Sequence, residues 1–238
     1  MEFPILDGVD KLTGLIDRVG FLPFFKGEIP GFSIEELTPP ELWFGEEPGP
    51  WEWKGPAITQ SGCAYGKFFR GKAVYISRTW FSDFANYRRD GYDFDARYDD
   101  GLASFREKRL FDVLAEEESL LSKEWKSRVL RSGGELKGFD TILTKLQHRC
   151  YVTTVNFEYE LDKMGQPYGW GIARYATPEA WFGEEFTRQV YQREPEESAR
   201  RIMDHLESLL PQANRSQLLK LLGVIGTELL AVYCQHPA

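Results

Sequence analysis

The sequence predicts an α+β fold that is mostly helical and contains a winged helix-turn-helix. Within residues 104–176, three segments with helical spacing of apolar residues precede two strand-like segments joined by a turn. Three helices followed by a hairpin are the element order of a winged helix. We expect this domain at residues 101–177. A mixed α and β region with part of a wing-like unit is expected at residues 1–100, and helices that pack on the winged helix at residues 178–238.

The first two helices of this domain are predicted from their N-terminal residues. Ser104 and Glu107 have the S-x-x-E spacing of a capping box, so a helix should begin at Ser104. The second helix should begin near Ser122, with Glu124 in its first turn, where the helix dipole favours a carboxylate. The glycine pair at residues 133–134 should end it.

The third helix, at residues 138–150, has the clearest pattern. Its apolar residues follow i, i+3, i+4, i+7 and i+11, which predicts one buried face; they are Phe139, Ile142, Leu143, Leu146 and Cys150. Residues 151–161 and 168–176 are rich in strand-forming residues. The intervening KMGQP segment predicts the turn of a hairpin.

The polar face of the third helix suggests a DNA-binding surface, because this helix of a winged helix offers side chains to base edges and phosphates. Residues 122–150 hold seven Lys or Arg against three acids, a local charge of +4 in a chain of net charge −8. We therefore expect double-stranded DNA as the partner, positioned by phosphate contacts. The expected contact residues are Lys123, Lys126, Arg131, Lys137, Thr141, Thr144, Lys145, Gln147, His148 and Arg149.

A second basic group is predicted at the tip of a hairpin at residues 65–76. It contains Lys67, Arg70 and Lys72, of which Lys67 and Arg70 are expected to add phosphate contacts.

Two alternatives remain open. The predicted wing carries Glu158, Glu160 and Asp162, a poor surface for a phosphate backbone, so the domain could instead pack against a protein partner. The chain could also be an enzyme acting on damaged bases, with a carboxylate such as Asp93, Asp95 or Glu41 assisting water attack. A solvated, ion-paired linker at residues 90–101 is the favoured interpretation of the aspartates.

An internal similarity suggests a second unit. Residues 31–47 and 169–185 align without a gap at an offset of 138, and both contain P-E-x-W-F-G-E-E. If the similarity is structural, it predicts winged helices in tandem; otherwise it marks a short helix with a Trp-Phe anchor. The remaining segments are predicted as helices at residues 5–18, 77–89, 178–191, 194–210 and 216–233, and as a loop at residues 48–56 whose Trp51 and Trp53 are core anchors or base-stacking residues.

Composition excludes several classes of protein. The chain has 238 residues, 42% of them hydrophobic, which is enough for a substantial core. The three cysteines form no CxxC and the three histidines lack metal-ligand spacing, so we expect no metal, no cofactor and no disulfide framework. We expect a cytoplasmic protein, because the N-terminus lacks the basic segment of a signal peptide and residues 218–233 are too short to span a bilayer.

Several segments resemble the AlkZ-related proteins, distant relatives of the AlkZ and YcaQ winged-helix DNA glycosylases. Together they span most of residues 20–185: GFLPFF (20–25), EIPGFS (28–33), LWF (42–44), AYGKFF (64–69), FANYRRDGY (84–92), DGLAS (100–104), GFD (138–140), LTKLQ (143–147) and PYGW (167–170).

The resemblance implies tandem winged helices that hold duplex DNA in a basic cradle. In the glycosylases, catalysis depends on a Gln-x-Gln or Gln-x-Asp motif near the N-terminus that positions a water molecule. The corresponding region here, residues 18–23, reads RVGFLP and has no such pair. The resemblance therefore implies a DNA-binding shape, and we expect the protein to lack glycosylase activity.

Overall fold

The computed structural model describes residues 3–223, and about half of these residues are helical. The first series of elements is α1 (Val9–Val19), β1 (Phe21–Pro23), α2 (Ile34–Leu37), a 3₁₀ turn (Pro40–Leu42), α3 (Pro50–Ser61), β2 (Ala64–Phe69) and β3 (Lys72–Ile76). Two helices then connect to the second series: α4 (Arg78–Arg89) and α5 (Phe94–Asp99).

The second series is α6 (Phe105–Ala115), β4 (Leu120–Leu121), α7 (Ser122–Arg131), α8 (Phe139–His148), β5 (Thr153–Leu161) and β6 (Pro167–Ala176). The described part of the chain ends with α9 (Pro178–Phe182), α10 (Glu184–Gln189), α11 (Pro195–Leu209) and α12 (Arg215–Leu222).

The six strands form one antiparallel sheet in the order β1-β3-β2-β5-β6-β4. Residues 9–76, the first half, and residues 105–176, the second half, repeat one order of elements: helix, strand, two helices, two strands. In each half the first strand pairs with the third, and the third pairs with the second. The halves meet where Tyr65 of β2 pairs with Thr154 of β5.

The two halves also exchange helix contacts, because α3 packs on β5 and α8 packs on β2. On α3, Gly55 lies so close to β5 that a methyl group there would approach Asn156 Oδ1 to 2.8 Å. On α8, Gln147 lies over Gly66 of β2, where an added methyl group would be 3.0 Å from Gln147 Nε2. Each half therefore covers the central strand of the other.

The second half has its own hydrophobic cluster. The apolar residues predicted for α8, Phe139, Ile142, Leu143, Leu146 and Cys150, are all buried. Trp125 of α7 is fully buried and donates a hydrogen bond from Nε1 to the Leu110 carbonyl of α6, at 3.0 Å. The capping box of α6 is confirmed, since Glu107 accepts from the Ser104 N–H at 2.8 Å while Ser104 Oγ accepts from the Glu107 N–H.

The C-terminal helices pack on the first half and on α4, which corrects the prediction that they pack on residues 101–177. Phe182, Ile202 and Leu206 belong to the same cluster as the core of residues 3–90. His205 of α11 stacks on Trp80 of α4 with ring centroids 4.2 Å apart. Apolar residues of α11 thus have their partners on α4 rather than on α8.

Three other predictions need correction. Residues 48–56 are not a loop but enter α3, since Pro50 occupies the first turn, where its missing N–H is tolerated. Residues 178–191 form two helices because Gly183, with φ +75°, ends α9. The internal similarity is not a structural repeat: residues 31–34 lead into α2, whereas residues 169–172 lie in β6.

The last predicted helix, at residues 216–233, is observed as α12 up to Leu222, and its part beyond residue 223 lies outside the described residues. None of the helices between residues 3 and 223 combines the length and apolar character needed to cross a membrane.

Candidate nucleic-acid interface

The turn between β2 and β3 gathers basic side chains. Arg70 (φ +49°) and Gly71 (φ +76°) are both left-handed, which is the requirement of a tight type I′ hairpin. Arg70 and Lys72 on this hairpin line a groove of about 110 Å³ together with Lys220 of α12. Glu28 lines the same groove, so three cations there face one acid.

The C-terminal part of α8 lies beside this turn. A methyl group on Gly71 would lie 3.9 Å from Thr144 Cγ2. One helical turn further on, His148 is half-buried, and burial lowers its pKa to about 4, with Arg88 and Arg149 adding to the shift. His148 is therefore neutral at physiological pH, and the positive charge at this end of α8 belongs to the arginines.

Arg88 connects β2 with the C-terminal end of α12. Its Nη2 donates to the Phe68 carbonyl of β2 at 3.3 Å and also to the Leu222 carbonyl of α12. A methyl group on Gly223 would meet both Arg70 Cγ at 2.7 Å and Arg88 Nη2 at 3.5 Å. Burial, followed by the charge of Arg97, lowers the pKa of Arg149, with Arg88 also contributing. Arg70 and Arg88 thus both approach Gly223, and the charge of Arg88 acts on Arg149.

We call this surface the basic strip, and it runs along the β2–β3 hairpin, α12 and the end of α8. Lys145 contributes a further charge, although its Nζ is 3.8 Å from Glu107 Oε1. The exposed residues of the strip are Lys67, Arg70, Lys72, Lys145, Arg149 and Lys220, whereas Arg88 is largely buried and holds the Phe68 and Leu222 carbonyls. Sequence patterns had suggested the hairpin and α8 separately. Arg88 and Lys220 were missed, because α4 and α12 carry no local sign of their position.

Gln147 must be removed from the expected contact residues. It is only 3% exposed. Its Oε1 accepts from the Lys67 N–H and its Nε2 donates to Thr154 Oγ1, both at 3.3 Å. The amide that was expected to contact DNA instead joins the two halves.

The remaining expected contact residues lie apart from the strip. Lys123 pairs with Glu160 of the β5–β6 hairpin, and Lys126 Nζ lies 3.4 Å from Asp140 Oδ1. Arg131 and Lys137 are exposed at the connection between α7 and α8, and Thr141 is exposed on α8. Acids thus offset two of the four cations in this group.

The acidic hairpin is less negative than its sequence suggests. Glu158 Oε1 accepts from Arg174 Nε at 2.5 Å, and Glu160 pairs with Lys123. Asp162 Oδ1 accepts from the N–H groups of Met164 and Gln166, at 2.8 and 2.9 Å, and so shapes the turn. Local partners therefore occupy the three carboxylates.

The three carboxylates considered for water activation are not assembled into a site. Asp93 Oδ1 accepts from the Ala96 N–H at 2.8 Å and caps α5, while Asp95 Oδ1 is 3.3 Å from Lys108 Nζ. Glu41 lies exposed in the 3₁₀ turn. Among residues 3–223, no cluster of three or more His, Cys, Asp or Glu side chains is arranged to hold a metal ion.

A second surface feature, which we call the aromatic groove, lies between α3 and the β5–β6 hairpin. Its volume is about 430 Å³, and it is lined by Trp51, Glu52, Lys54, Tyr159 and Trp170. The Trp51 and Trp170 rings meet edge to face, with centroids 6.0 Å apart and planes at 81°. Trp53 instead points to the core and donates from Nε1 to the Pro48 carbonyl at 2.8 Å. Trp51 thus lines the groove, whereas Trp53 is a core residue.

Comparison with known proteins identifies the family. No curated protein matches the chain in sequence. Among solved structures, the Streptomyces sahachiroi DNA glycosylase AlkZ is similar with a TM-score of 0.46 and 11% identity, over 89% of this chain and 58% of that one. This chain therefore spans little more than half the length of that protein. A family model described as AlkZ related matches residues 6–223, and the chain thus belongs to the AlkZ-related family.

Proposed function

We propose that this protein binds double-stranded DNA through phosphate contacts of the basic strip, on a scaffold of two winged helices. The observation that carries the proposal is the convergence of Arg70, Lys72 and Lys220 in one groove beside Arg88 and Arg149. In a chain of net charge −8, such local concentration of positive charge favours a polyanion at this surface over the rest of the molecule.

The repeated element order supports the scaffold. Each half has a helix, a strand, two helices and a hairpin, with the first strand paired to the last, as a winged helix requires. The third helix of each half packs against the other half, so neither α3 nor α8 is free on all sides to enter a major groove. Phosphate contacts therefore dominate, and little base readout is expected.

Fluorescence anisotropy of a labelled duplex at increasing NaCl concentration tests the proposal. The logarithm of the binding constant should fall linearly with the logarithm of salt, by roughly 0.9 per phosphate contacted. Arg70→Asn with Lys72→Gln should weaken binding and reduce the slope by about two. Asparagine is chosen because it tolerates the left-handed conformation of residue 70.

The matched control removes two positive charges elsewhere, at Lys11 and Arg128, which pair with Asp7 and Glu117. Lys11→Gln with Arg128→Gln should leave the salt slope unchanged. Equal effects of the two double variants would contradict an interface at the basic strip. No measurable duplex binding by the wild-type protein at low salt would contradict the function itself.

We also propose that binding occurs without base excision. Support comes from residues 18–23, which correspond to the region of the glycosylase motif: Arg18 is exposed, the other five are buried, and residues 21–23 form β1. Apolar side chains in a buried strand cannot hold an attacking water. An alkylated duplex incubated with excess protein should remain intact, as measured by chromatography of released bases. Release of the alkylated base would contradict this proposal but not DNA binding.

A further inference from the structure

We propose that the aromatic groove binds a single unpaired nucleobase, which stacks on Trp170. The inference rests on the proposed function. Because β2 and β5 are antiparallel, the groove lies toward the end of the sheet opposite the β2–β3 turn, and a duplex that extends along the sheet would bring the base to it. The inference adds a ligand class and a site that phosphate contacts alone do not provide.

Trp170 provides the stacking surface. Trp170 is 76% exposed, although large aromatic residues on strands are usually buried. The edge-to-face contact with Trp51 fixes one side of the ring, and the rest of its surface is open. Nucleobases stack on such rings regardless of sequence, since every base has a π-face.

The polar groups of the groove suit the edge of a base. Lys54 can donate hydrogen bonds and the Tyr159 hydroxyl can donate and accept them. Glu52 Oε2 already accepts from the Gly49 N–H at 2.9 Å, which leaves Oε1 as the acceptor in the groove. Base edges present both donors and acceptors, whereas an apolar side chain of a protein partner would offer none to Lys54 or Tyr159. The groove therefore fits a heteroaromatic ligand better than an apolar peptide.

Lys54 supplies a positively charged hydrogen-bond donor at the groove. Its Nζ lies 4.2 Å from the Phe157 ring centroid and 5.1 Å from that of Trp51. Between residues 3 and 223 it forms no ion pair with a carboxylate. Burial lowers its pKa, an effect that Glu52 offsets only in part. A base carbonyl or a flanking phosphate would supply the acceptor.

The size and shape of the groove are consistent with one base. Its volume of about 430 Å³ lies at the small end of the range for ligand sites. Gly171 allows the Tyr159 ring to approach, since a methyl group on Gly171 would be 3.2 Å from Tyr159 Cζ. Gly171 thus allows Tyr159 to form one side of the groove.

The test compares two labelled duplexes that differ only in a bulged position. One carries a single 2-aminopurine bulge, and the other carries a single abasic nucleotide at the same position. The wild-type protein should bind the first about tenfold more tightly, given the usual strength of base–aromatic stacking, and should quench the 2-aminopurine fluorescence. Trp170→Ala should remove both effects without weakening binding to a fully paired duplex, whereas Trp170→Phe should retain most of the quenching.

The outcomes separate the two proposals. Equal affinity for both bulges, or quenching that survives Trp170→Ala in a folded protein, overturns the inference while duplex binding stands. If the protein binds no DNA, the proposed function fails, and free adenosine monophosphate becomes the probe. Quenching of tryptophan fluorescence by this nucleotide, reduced in Trp170→Ala, would then retain the groove as a base site, and its absence would overturn it.

Discussion

Gln147 on α8 accepts a hydrogen bond from the backbone N–H of Lys67 on β2, at 3.3 Å, and so connects the two halves of the molecule. The same side chain donates to Thr154 Oγ1 of β5. One amide therefore contacts both strands at the point where the halves pair. The hydrogen bonds of Gln147 therefore stabilise the contact between the first and second halves.

Replacing Gln147 should weaken this contact. Gln147→Ala leaves the partner groups on β2 and β5 without their hydrogen bonds, so the free energy of unfolding should fall by about 1–3 kcal/mol. Chemical denaturation measures the change. Thr141→Ala, at an exposed position of the same helix, should change stability by less than about 0.5 kcal/mol. Equal losses for both variants would show that Gln147 has no special role.

The close contact between α3 and β5 requires a glycine at position 55. Alanine normally stabilises a helix by about 1 kcal/mol relative to glycine. In Gly55→Ala, however, the new methyl group would lie 2.8 Å from Asn156 Oδ1, which the Phe157 N–H holds in place. We expect a loss of about 1–3 kcal/mol in unfolding free energy.

The control for this substitution is Gly14→Ala in α1. Gly14 is exposed and has nothing within 4 Å of an added methyl group, so alanine should raise stability by up to about 1 kcal/mol. Opposite signs for the two variants, measured by thermal denaturation, are the expected result. Stabilisation by both would mean that α3 and β5 do not pack closely.

Arg89 is a buried charge whose neutralisation can be tested. Its Nη1 lies 2.6 Å from Glu179 Oε1, and its Nη2 donates to the Cys150 carbonyl at 2.8 Å. Burial disfavours the charge, but Glu179 and Tyr191 outweigh burial and raise the pKa of Arg89. Glu179→Gln should lower the free energy of unfolding by about 3 kcal/mol, because it leaves the guanidinium without its counter-ion.

A double-mutant cycle distinguishes the ion pair from general packing. Arg89→Met combined with Glu179→Gln removes both charges, so the double variant should lose clearly less stability than the sum of the two single changes. Additive losses would show that the pair is not coupled.

The half-buried His148 should make stability depend on pH. Burial and the neighbouring Arg88 and Arg149 lower its pKa to about 4 in the folded protein, against about 6.5 in the unfolded chain. Between these values the unfolded state binds more protons, so the free energy of unfolding falls as pH falls from about 6.5 to 4. His148→Gln should remove this component and give a shallower decline. Parallel curves for wild type and variant would contradict the environment described for His148.

Local sequence signals predicted much of the second half. The apolar spacing of Phe139, Ile142, Leu143 and Leu146 identified the buried face of α8, and Ser104 with Glu107 identified the start of α6. These signals worked because each depends on residues within one element. The proximity of Gly71 to Thr144 could not be predicted in this way, since it follows from the packing of α8 on β2.

Gln147 shows the same limit. Its position on α8 is polar and faces away from the helix's own core, which predicts exposure. A strand from the other half covers that position, and the amide satisfies its hydrogen bonds there. The repeated P-E-x-W-F-G-E-E segment misled for a related reason: the same residues serve as a 3₁₀ turn in one place and as α9 in another. Tertiary context, not local preference, decides between them.

The pairing of β2 with β5 has a consequence for the chain as it is being synthesised. The ribosome releases residues 1–76 before β5 exists, so the nascent first half carries an open strand edge with Tyr65, Phe68 and Phe69. Such edges template association with other chains. The edge of β2 is covered only after β5 has been synthesised and α8 has packed on β2. The time during which this edge is exposed therefore depends on the number of residues between β2 and β5, and we expect a chain that stops before β5 to aggregate.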